Sequence, residues 1–309
     1  MSERVKKMNR TAKIWLIVAG ILVVLGPILI VCATTINGGF SFAKTAYETN
    51  TIEIGSTFDQ IAVKTEITDL EIATSDEKQC RVVCAEPEKM KHTAEVKNGT
   101  LMIKSSDDRK WNERLFKFSF KDPKVTVYLP ESDYKALQID THSGDVKIAD
   151  GLTFDTAAVI GDTCDIKFAA SVKNSLQIAA TTGDVDLSGG EVKDTEITTS
   201  TGDIKINGLK VKGGLSAAAS TGDITLNDTI AEGAFSINTT TGDVHFNDCD
   251  ASEITVKTTT GDVTGTLLSD KVFITDTSTG DVHVPKTGSG GICEITTSTG
   301  DIIIDIKAK

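Results

Sequence analysis

Thr239-Thr240-Thr241-Gly242-Asp243-Val244 is one copy of a pattern that recurs through the second half of the chain. Its core, Thr-Gly-Asp followed by Val or Ile, returns in steps of 19 or 20 residues. The repeated glycines are Gly183, Gly202, Gly222, Gly242, Gly261, Gly280 and Gly300. A repeat this regular predicts one structural unit that is stacked many times.

The series extends toward the N-terminus in two altered copies. Ser143-Gly144-Asp145-Val146 has serine in place of threonine, and Thr163-Cys164-Asp165-Ile166 has cysteine in place of glycine. With these copies, nine successive units run from about residue 135 to the C-terminus. The pattern leaves open how the chain turns at Cys164.

Apolar residues alternate with polar ones on both sides of each glycine. Phe235 and Ile237 stand seven and five residues before Gly242, and Val244 and Phe246 stand two and four residues after it. Such a period of two is typical of strands. The alternation changes parity across Gly-Asp, which indicates that these two residues turn a corner. Each unit is therefore expected to be a strand, a corner, a second strand and a looser return.

The near-constant length of the units distinguishes two architectures. A β-meander tolerates hairpins of drifting length, whereas stacked coils pair each strand with the same strand one coil away and must match in length. We therefore predict an all-β fold, a single-chain β-solenoid with coils of about 19–20 residues. Its structural corner residues would be Gly144, Gly183, Gly202, Gly222, Gly242, Gly261, Gly280 and Gly300.

Residues 14–33 contain no charged side chain and follow a basic segment, residues 1–13. Twenty residues of helix span about 30 Å, enough for the hydrocarbon core of a bilayer, and the basic flank keeps the N-terminus cytoplasmic. The prediction is a single-pass protein of the cell membrane with its repeats extracytoplasmic. A cleaved signal peptide is the rival interpretation, although its apolar region usually has about 7–15 residues.

This gives five segments. They are a cytoplasmic tail (1–13), a transmembrane helix (14–33), a linker (34–49), irregular N-terminal β coils or a cap (50–130) and the regular solenoid (131–309).

These features together resemble a known family. The run Val125-Thr126-Val127-Tyr128-Leu129-Pro130, the first Ser-Gly-Asp-Val corner and the reiterated Thr-Gly-Asp-Val/Ile are similar to the bacterial putative-adhesin family. Its cell-envelope proteins share this repeated domain of unknown function. The resemblance covers about residues 50–309 and implies an extracytoplasmic β-solenoid, encoded in some relatives near envelope-stress or antimicrobial-peptide response systems.

The corner aspartates need a chemical explanation, because coils about 4.8 Å apart make neighbouring carboxylates repel by roughly 0.9 kcal/mol per pair even in water. Each carboxylate could accept hydrogen bonds from backbone N–H groups of its own corner. Alternatively, Ca²⁺ could bind, since it takes oxygen ligands. The candidate calcium ladder is Asp184, Asp203, Asp223, Asp243, Asp262, Asp281 and Asp301. The denser Gly-Gly-x-Gly-x-Asp pattern of calcium-binding solenoids is absent, so the backbone explanation is favoured and no cofactor is expected.

Hydroxyl residues precede each corner. Threonines three and one residues before the glycine, such as Thr239 and Thr241, share the parity of the inward positions and are expected to point inward or into the corner. The residues between them are expected to point outward, and they are Thr181, Ser200, Ser220, Thr240, Thr259, Ser278 and Ser298. This stripe is either a contact surface for glycans or cell-wall polymer, or an ordinary solvated face.

Catalytic and disulfide patterns are weak. The four histidines and six cysteines show no His-x-x-x-His or Cys-x-x-Cys spacing, and no nucleophile elbow is present. Cys80 and Cys84 would share one face of a strand at a separation too large for a disulfide. The sequence therefore predicts that the protein is not an enzyme.

The net charge of -12 argues against nucleic acid as a partner. The favoured function is a membrane-anchored, adhesin-like binding or scaffold module of the bacterial cell envelope. The alternatives are an accessory regulator or sensor of envelope stress, acting through a membrane protein, and a calcium-binding repeat protein. Expected partners are the membrane, through the N-terminal helix, and a cell-wall polymer or envelope protein. A free edge at the last strand, Ile302–Ile306, would also favour end-to-end self-association.

Overall fold

The computed structural model describes residues 47–108 and 123–307, together with Val23 and Leu25, which are helical. The predicted transmembrane helix and most of the predicted linker otherwise lie outside the described residues. Within the described part of the chain, no helix is both long and apolar enough to span a membrane.

The described residues form 27 strands. Those before the regular repeats are β1 (Tyr47–Ile54), β2 (Gln60–Ile67), β3 (Asp69–Ser75), β4 (Cys80–Pro87), β5 (Met90–Lys97), β6 (Thr100–Asp107) and β7 (Lys124–Pro130). The first regular repeats contain β8 (Asp133–Ser143), β9 (Val146–Ile148), β10 (Thr153–Thr163), β11 (Ile166–Phe168), β12 (Ser171–Thr182), β13 (Val185–Ser188), β14 (Glu191–Thr201), β15 (Ile204–Asn207) and β16 (Lys210–Val211).

The remaining repeats contain β17 (Leu215–Thr221), β18 (Ile224–Asn227), β19 (Ile230–Ala231), β20 (Ala234–Thr241), β21 (Val244–Cys249), β22 (Glu253–Lys257), β23 (Val263–Leu267), β24 (Lys271–Thr279), β25 (Val282–His283), β26 (Gly291–Thr299) and β27 (Ile302–Ile306).

Each repeat contributes one strand to each of two sheets. The strand before the Gly-Asp corner joins a 14-stranded sheet, and the strand after the corner joins a 13-stranded sheet. Within both sheets the repeats pair in parallel with the same strand of the neighbouring coil, for example Thr199 with Ala219 and Ala219 with Thr239. This pairing confirms the predicted all-β solenoid with its nine regular units. Most coils have two strands, while β16 and β19 add a short third one.

The core lies between the two sheets. Phe235, Ile237, Val244 and Phe246 are each at most 1% exposed, as the alternation predicts. The rings of Phe235 and Phe246, which lie on opposite sides of the corner, stack with centroids 6.4 Å apart. The period-two pattern therefore buries one face of each sheet against the other, and this burial is the main stabilising contribution.

The Cys164 corner is accommodated by a second departure from the repeat. Gly161 stands at the inward position where the next coil has Ala180, and a Cβ built on Gly161 would lie 2.1 Å from Cys164 Sγ. The thiol is buried at 4% exposure, and burial followed by the charges of nearby aspartates raises its pKa to about 11. The cysteine side chain thus fills the space that the missing side chain of Gly161 leaves.

Gly161→Ala is expected to destabilise the protein, because the added methyl overlaps the thiol and overpacking costs about 1–3 kcal/mol. The double variant Gly161→Ala/Cys164→Gly should recover part of this loss, since it restores the pairing of side chains found in the other corners. Thermal unfolding of the two single variants and the double variant measures the coupling. Strictly additive effects would contradict the compensation.

The order of coils along the stack differs from their order in the chain at both ends. At the N-terminal end, the coil of β6 and β7 lies outside the coil of β2 and β3, and β1, β4 and β5 add antiparallel strands. At the C-terminal end, β26 and β27 insert between the coil of β22 and β23 and the coil of β24 and β25. The predicted free edge at Ile302–Ile306 is therefore wrong: β27 lies between β23 and β25, and the edge strands are β24 and β25.

Candidate functional site

The corner glycines bring the backbones of successive coils into contact. Their φ angles lie between +108° and +152°, a region that side chains rarely allow. A Cβ added at any of the eight would lie 1.9 to 2.4 Å from the carbonyl oxygen at the corner of the neighbouring coil. Only glycine fits, because both the backbone conformation and the separation of the coils exclude a side chain.

The inward threonines hold the same corners together. Thr239 is 6% exposed, and its Oγ1 donates to the carbonyl oxygen of Gly222, one coil away, at 3.2 Å. Thr199, Thr258 and Thr297 make equivalent bonds at 3.2 to 3.3 Å. These hydroxyls therefore satisfy the corner carbonyls from inside the core.

The aspartate file is a ladder of hydrogen bonds between coils. The backbone N–H of Asp243 donates to Oδ1 of Asp223 at 2.8 Å, and the N–H of Asp223 donates to Asp203 in the same way. The ladder runs in the order Asp69, Asp145, Asp165, Asp184, Asp203, Asp223, Asp243, Asp262, Asp301 and Asp281, with distances of 2.8 to 3.1 Å. Bonds between an ionised acceptor and an N–H offset the repulsion between the carboxylates.

The donor is thus a backbone N–H group, but it belongs to the neighbouring coil and not to the aspartate's own corner as the sequence suggested. The ladder also includes Asp69, which follows the corner residue Thr68 of an earlier coil. Calcium binding along the ladder stays a prediction from the sequence. Oδ1 of Asp223, like that of its equivalents, already accepts a hydrogen bond from a backbone N–H.

Substitution of one ladder residue separates its charge from its hydrogen bond. Asp223→Ala removes the acceptor for the N–H of Asp243 and is expected to destabilise the protein by about 1 kcal/mol. Asp223→Asn keeps an oxygen at that place and relieves repulsion, so it should change the stability by less. Urea unfolding of both variants measures the difference. An equal loss in both would show that the charge, and not the acceptor, stabilises the corner.

Two files of exposed hydroxyl groups run beside the corners on the outer surface. The residues two before the glycine are exposed as expected, from Thr181 to Ser298. The residues one before it are exposed too, although the parity argument placed them inward or in the corner. They are Thr182, Thr201, Thr221, Thr241, Thr260, Thr279 and Thr299. The parity rule fails there because the chain has already begun to turn.

We call the residues Thr181, Ser200, Ser220, Thr240, Thr259, Ser278 and Ser298 the hydroxyl face. In its middle lies a shallow trough of about 470 Å³. Ala218 and Ser220 line it together with Asn238, Thr240 and Lys257. Small side chains on the central coil create the depression, and larger polar side chains on the following coils border it.

Within residues 47–108 and 123–307, one group of at least three His, Cys, Asp or Glu side chains is close enough to hold a metal ion, and it is a buried cluster in the N-terminal cap. Ligand atoms of Cys84, Glu86 and His92 lie within 4.8 Å of one another. His92 Nδ1 lies 2.8 Å from Glu86 Oε2, and His92 Nε2 lies 3.0 Å from the Thr68 hydroxyl. This order of hydroxyl, imidazole and carboxylate is that of a nucleophilic triad.

The environment of the cluster favours a structural role. The side chains of His92 and Glu86 are 0% and 1% exposed, and Thr68 is 0% exposed, so no substrate reaches the hydroxyl. Glu86 also accepts from Asn50 Nδ2 at 2.5 Å and from the N–H of His92 at 2.7 Å. The imidazole and carboxylate atoms that a metal would need are therefore already hydrogen-bonded.

The thiol of the cluster is buried too. Burial, together with the Glu86 charge, raises the pKa of Cys84 to about 12, so the thiol is protonated when no metal is bound. The cluster instead joins the cap strands β4 and β5 to the Thr68 corner. One signal in the sequence was overlooked. Glu86 lies two residues after Cys84 on the same strand, so its carboxylate points to the same inward face as the cysteine.

The family model Toastrack DUF4097 matches residues 58–233 and 213–309. The chain belongs to this Toastrack family. That finding confirms the resemblance drawn from the repeats, whose family is defined by a domain of unknown function. None of the curated proteins matches this sequence.

Three solved structures are similar to this toastrack chain. A putative adhesin from Bacteroides fragilis is 15% identical, with a TM-score of 0.49, and the match covers 85% of this chain and 99% of the other. A putative adhesin from Parabacteroides distasonis is 12% identical, with a TM-score of 0.49 and coverage of 84% and 97%. A putative lipid binding protein from the same species is 16% identical, with a TM-score of 0.39 and coverage of 86% and 98%.

Proposed function

We propose that this protein is a non-enzymatic, membrane-anchored binding module on the outside of the bacterial cell membrane, and that its hydroxyl face contacts a cell-wall polymer. The hydroxyl face is the observation that carries the proposal. It repeats one chemical group from coil to coil at about 4.8 Å, and the trough beside Ser220 forms a depression within the row. A surface with a repeating group suits a ligand with a repeating unit.

The predicted anchor supports the cellular side of the proposal. Residues 14–33 are long enough to span a bilayer, and the basic segment before them orients the solenoid outward. The acidic net charge disfavours anionic partners, whereas the hydroxyl groups can form hydrogen bonds with neutral polar groups.

Retention of the full chain on purified cell-wall polymer tests the binding face. Ala218→Tyr places a bulky neutral side chain in the trough and is expected to reduce retention severalfold. Thr225→Tyr, on the outer face of the other sheet in the same coil, is the matched control and should retain the polymer like the unmodified chain. Equal retention by both variants would remove the hydroxyl face from the proposal.

Cross-linking in intact cells tests the alternative function. A membrane protein that is captured specifically, with no retention on wall polymer, would favour an accessory regulator of envelope stress over an adhesin-like module.

The anchor is tested by the mass of the membrane-bound protein. A mature chain that lacks residues 14–33 would show that the segment is a cleaved signal peptide.

A further inference from the structure

The C-terminal end of the stack, formed by β24 and β25, leaves an edge strand in both sheets. β24 is the last strand of one sheet and β25 the last strand of the other. Both edges lie at the same end of the coil stack, because one coil, residues 271–283, supplies the two strands. Edge strands present unpaired backbone groups that favour pairing with another chain.

Inward side chains lose their cover at this end. Val282 pairs in register with Ile302, yet Val282 is 42% exposed while Ile302 is 0% exposed. Phe273 is only partly buried, whereas its partner Cys293 is 1% exposed. The interior of the solenoid therefore reaches the surface here.

Exposed apolar side chains also concentrate around the same end. Eight large hydrophobic residues within 47–307 are exposed, and five of them belong to the last two coils of the stack. These five are Val272, Ile274, Val282, Ile292 and Ile303, with exposures between 37% and 53%. Val272, Ile274 and Ile292 lie on the outer face of one sheet and Ile303 on that of the other, so both sheets carry exposed apolar side chains next to this end.

The opposite end of the stack is closed differently. There β5 runs antiparallel along β6, and β1 and β4 add antiparallel strands to the other sheet. Exposed charged residues such as Glu48 and Lys97 lie on these outer strands. Charges on edge strands oppose further pairing, so a partner that continues the stack would meet the C-terminal end.

From these observations we propose that two copies of this protein associate through their C-terminal ends, about a two-fold axis that sets β24 antiparallel to the same strand of the second copy. A partner must present two free strands at the spacing of two packed sheets, and the same end of another copy meets that requirement. The contact uses the same surface on both copies and closes as a dimer.

The end face is large enough for a stable dimer. β24 has nine residues, about 30 Å of strand, and two packed sheets with their outer side chains are about 20 Å thick. The face thus covers about 600 Å² on each copy, or about 1,200 Å² in total, above the roughly 1,000 Å² expected of a specific interface.

Charge does not oppose the contact. The centre of the edge, residues 272–275, reads Val-Phe-Ile-Thr. Lys271 beside it is 3% exposed, and its Nζ lies 2.6 Å from Asp250 Oδ1. The exposed Asp276 follows this segment. A register centred on Ile274 sets Asp276 opposite Val272 of the second copy and keeps the two Asp276 side chains about 13 Å apart along the strand.

Disulfide formation between copies of the full chain tests the proposal. Ile274→Cys places a thiol on the outer face of β24. Val272→Cys and Asp276→Cys place it on the same face, two residues before and two residues after Ile274. Mild oxidation with diamide, which takes up the two electrons and two protons lost by a pair of thiols, should double the apparent mass of at least one of these variants on a non-reducing gel.

Ile160→Cys is the matched control, because Ile160 is 46% exposed on the same sheet but in the middle of the stack. It should run at the mass of a single chain on the same gel. The unmodified chain should do the same, because its five described cysteines are buried. Adding Val282→Lys, together with Val272→Lys or Ile274→Lys where that position carries no cysteine, to whichever variant cross-links should abolish its dimer without lowering the melting temperature. No dimer from any β24 variant, equal dimer from Ile160→Cys, or a cross-link to a chain of another mass would each overturn the proposal.

Discussion

Gly222→Ala is expected to lower the free energy of unfolding by about 3–5 kcal/mol, through backbone strain and overpacking together. The φ angle of Gly222 is +146°, and a Cβ there would lie 2.0 Å from the carbonyl oxygen of Gly202. That oxygen belongs to the backbone of the adjacent coil, so relief requires the two coils to part. Urea unfolding followed by circular dichroism measures the loss.

Gly208→Ala is the control for the conformational part of this effect. Gly208 also has a positive φ, +64°, but nothing lies within 4 Å of its added Cβ. Its loss should be only about 1–2 kcal/mol, the cost of left-handed backbone for a residue with a side chain. If the two variants lose the same stability, the close approach of the coils is not what requires glycine at the corners.

Glu86→Ala is expected to destabilise the protein by about 3–5 kcal/mol, because several buried donors lose one acceptor and each unsatisfied donor costs about 1–3 kcal/mol. The carboxylate is 1% exposed, and its loss leaves the imidazole and the N–H of His92 as well as the Asn50 amide without their acceptor. Thermal unfolding measures the effect. Because the cluster joins the cap to the Thr68 corner, the cap strands should lose amide-exchange protection before the central coils do.

Glu48→Ala is the matched control, because Glu48 also pairs with a lysine that faces Glu86. Lys91 Nζ lies 2.8 Å from Glu48 and 3.6 Å from Glu86, but the Glu48 side chain is 56% exposed. An exposed pair of this kind contributes about 0–1 kcal/mol. A loss from Glu48→Ala as large as that from Glu86→Ala would assign the effect to Lys91 and not to the buried network.

The repeat unit could be predicted almost completely from local patterns. Alternation around Gly242 identifies both strands of its coil, and the Gly-Asp pair identifies the corner between them. These features follow from the chemistry of single residues, since side chains alternate along any strand and glycine adopts the positive φ of the corner at little cost. Parity predicts that Thr241 points inward or into the corner, whereas it is exposed. The prediction is wrong because parity holds only while the chain stays extended.

The candidate site was predictable only in part. The outward hydroxyl residues follow from alternation, whereas the trough at Ala218 depends on side chains from several coils. The cluster of Glu86 and His92 with Thr68 joins β4, β5 and an earlier corner, and the spacing of Cys84 and Glu86 indicates only that the carboxylate points inward. Contacts between segments that are distant in sequence require the packed structure.

The sequence by itself determined the length of the coil, the face that is buried and the residues that turn the corner, because each depends on neighbours within one unit. Only the tertiary structure decided which coil stacks on which. Parallel strands of equal length pair well with any similar coil, so the repeat cannot specify its neighbour. At both ends that choice places a coil out of chain order, and at the C-terminal end it makes β24 and β25, not Ile302–Ile306, the free edge.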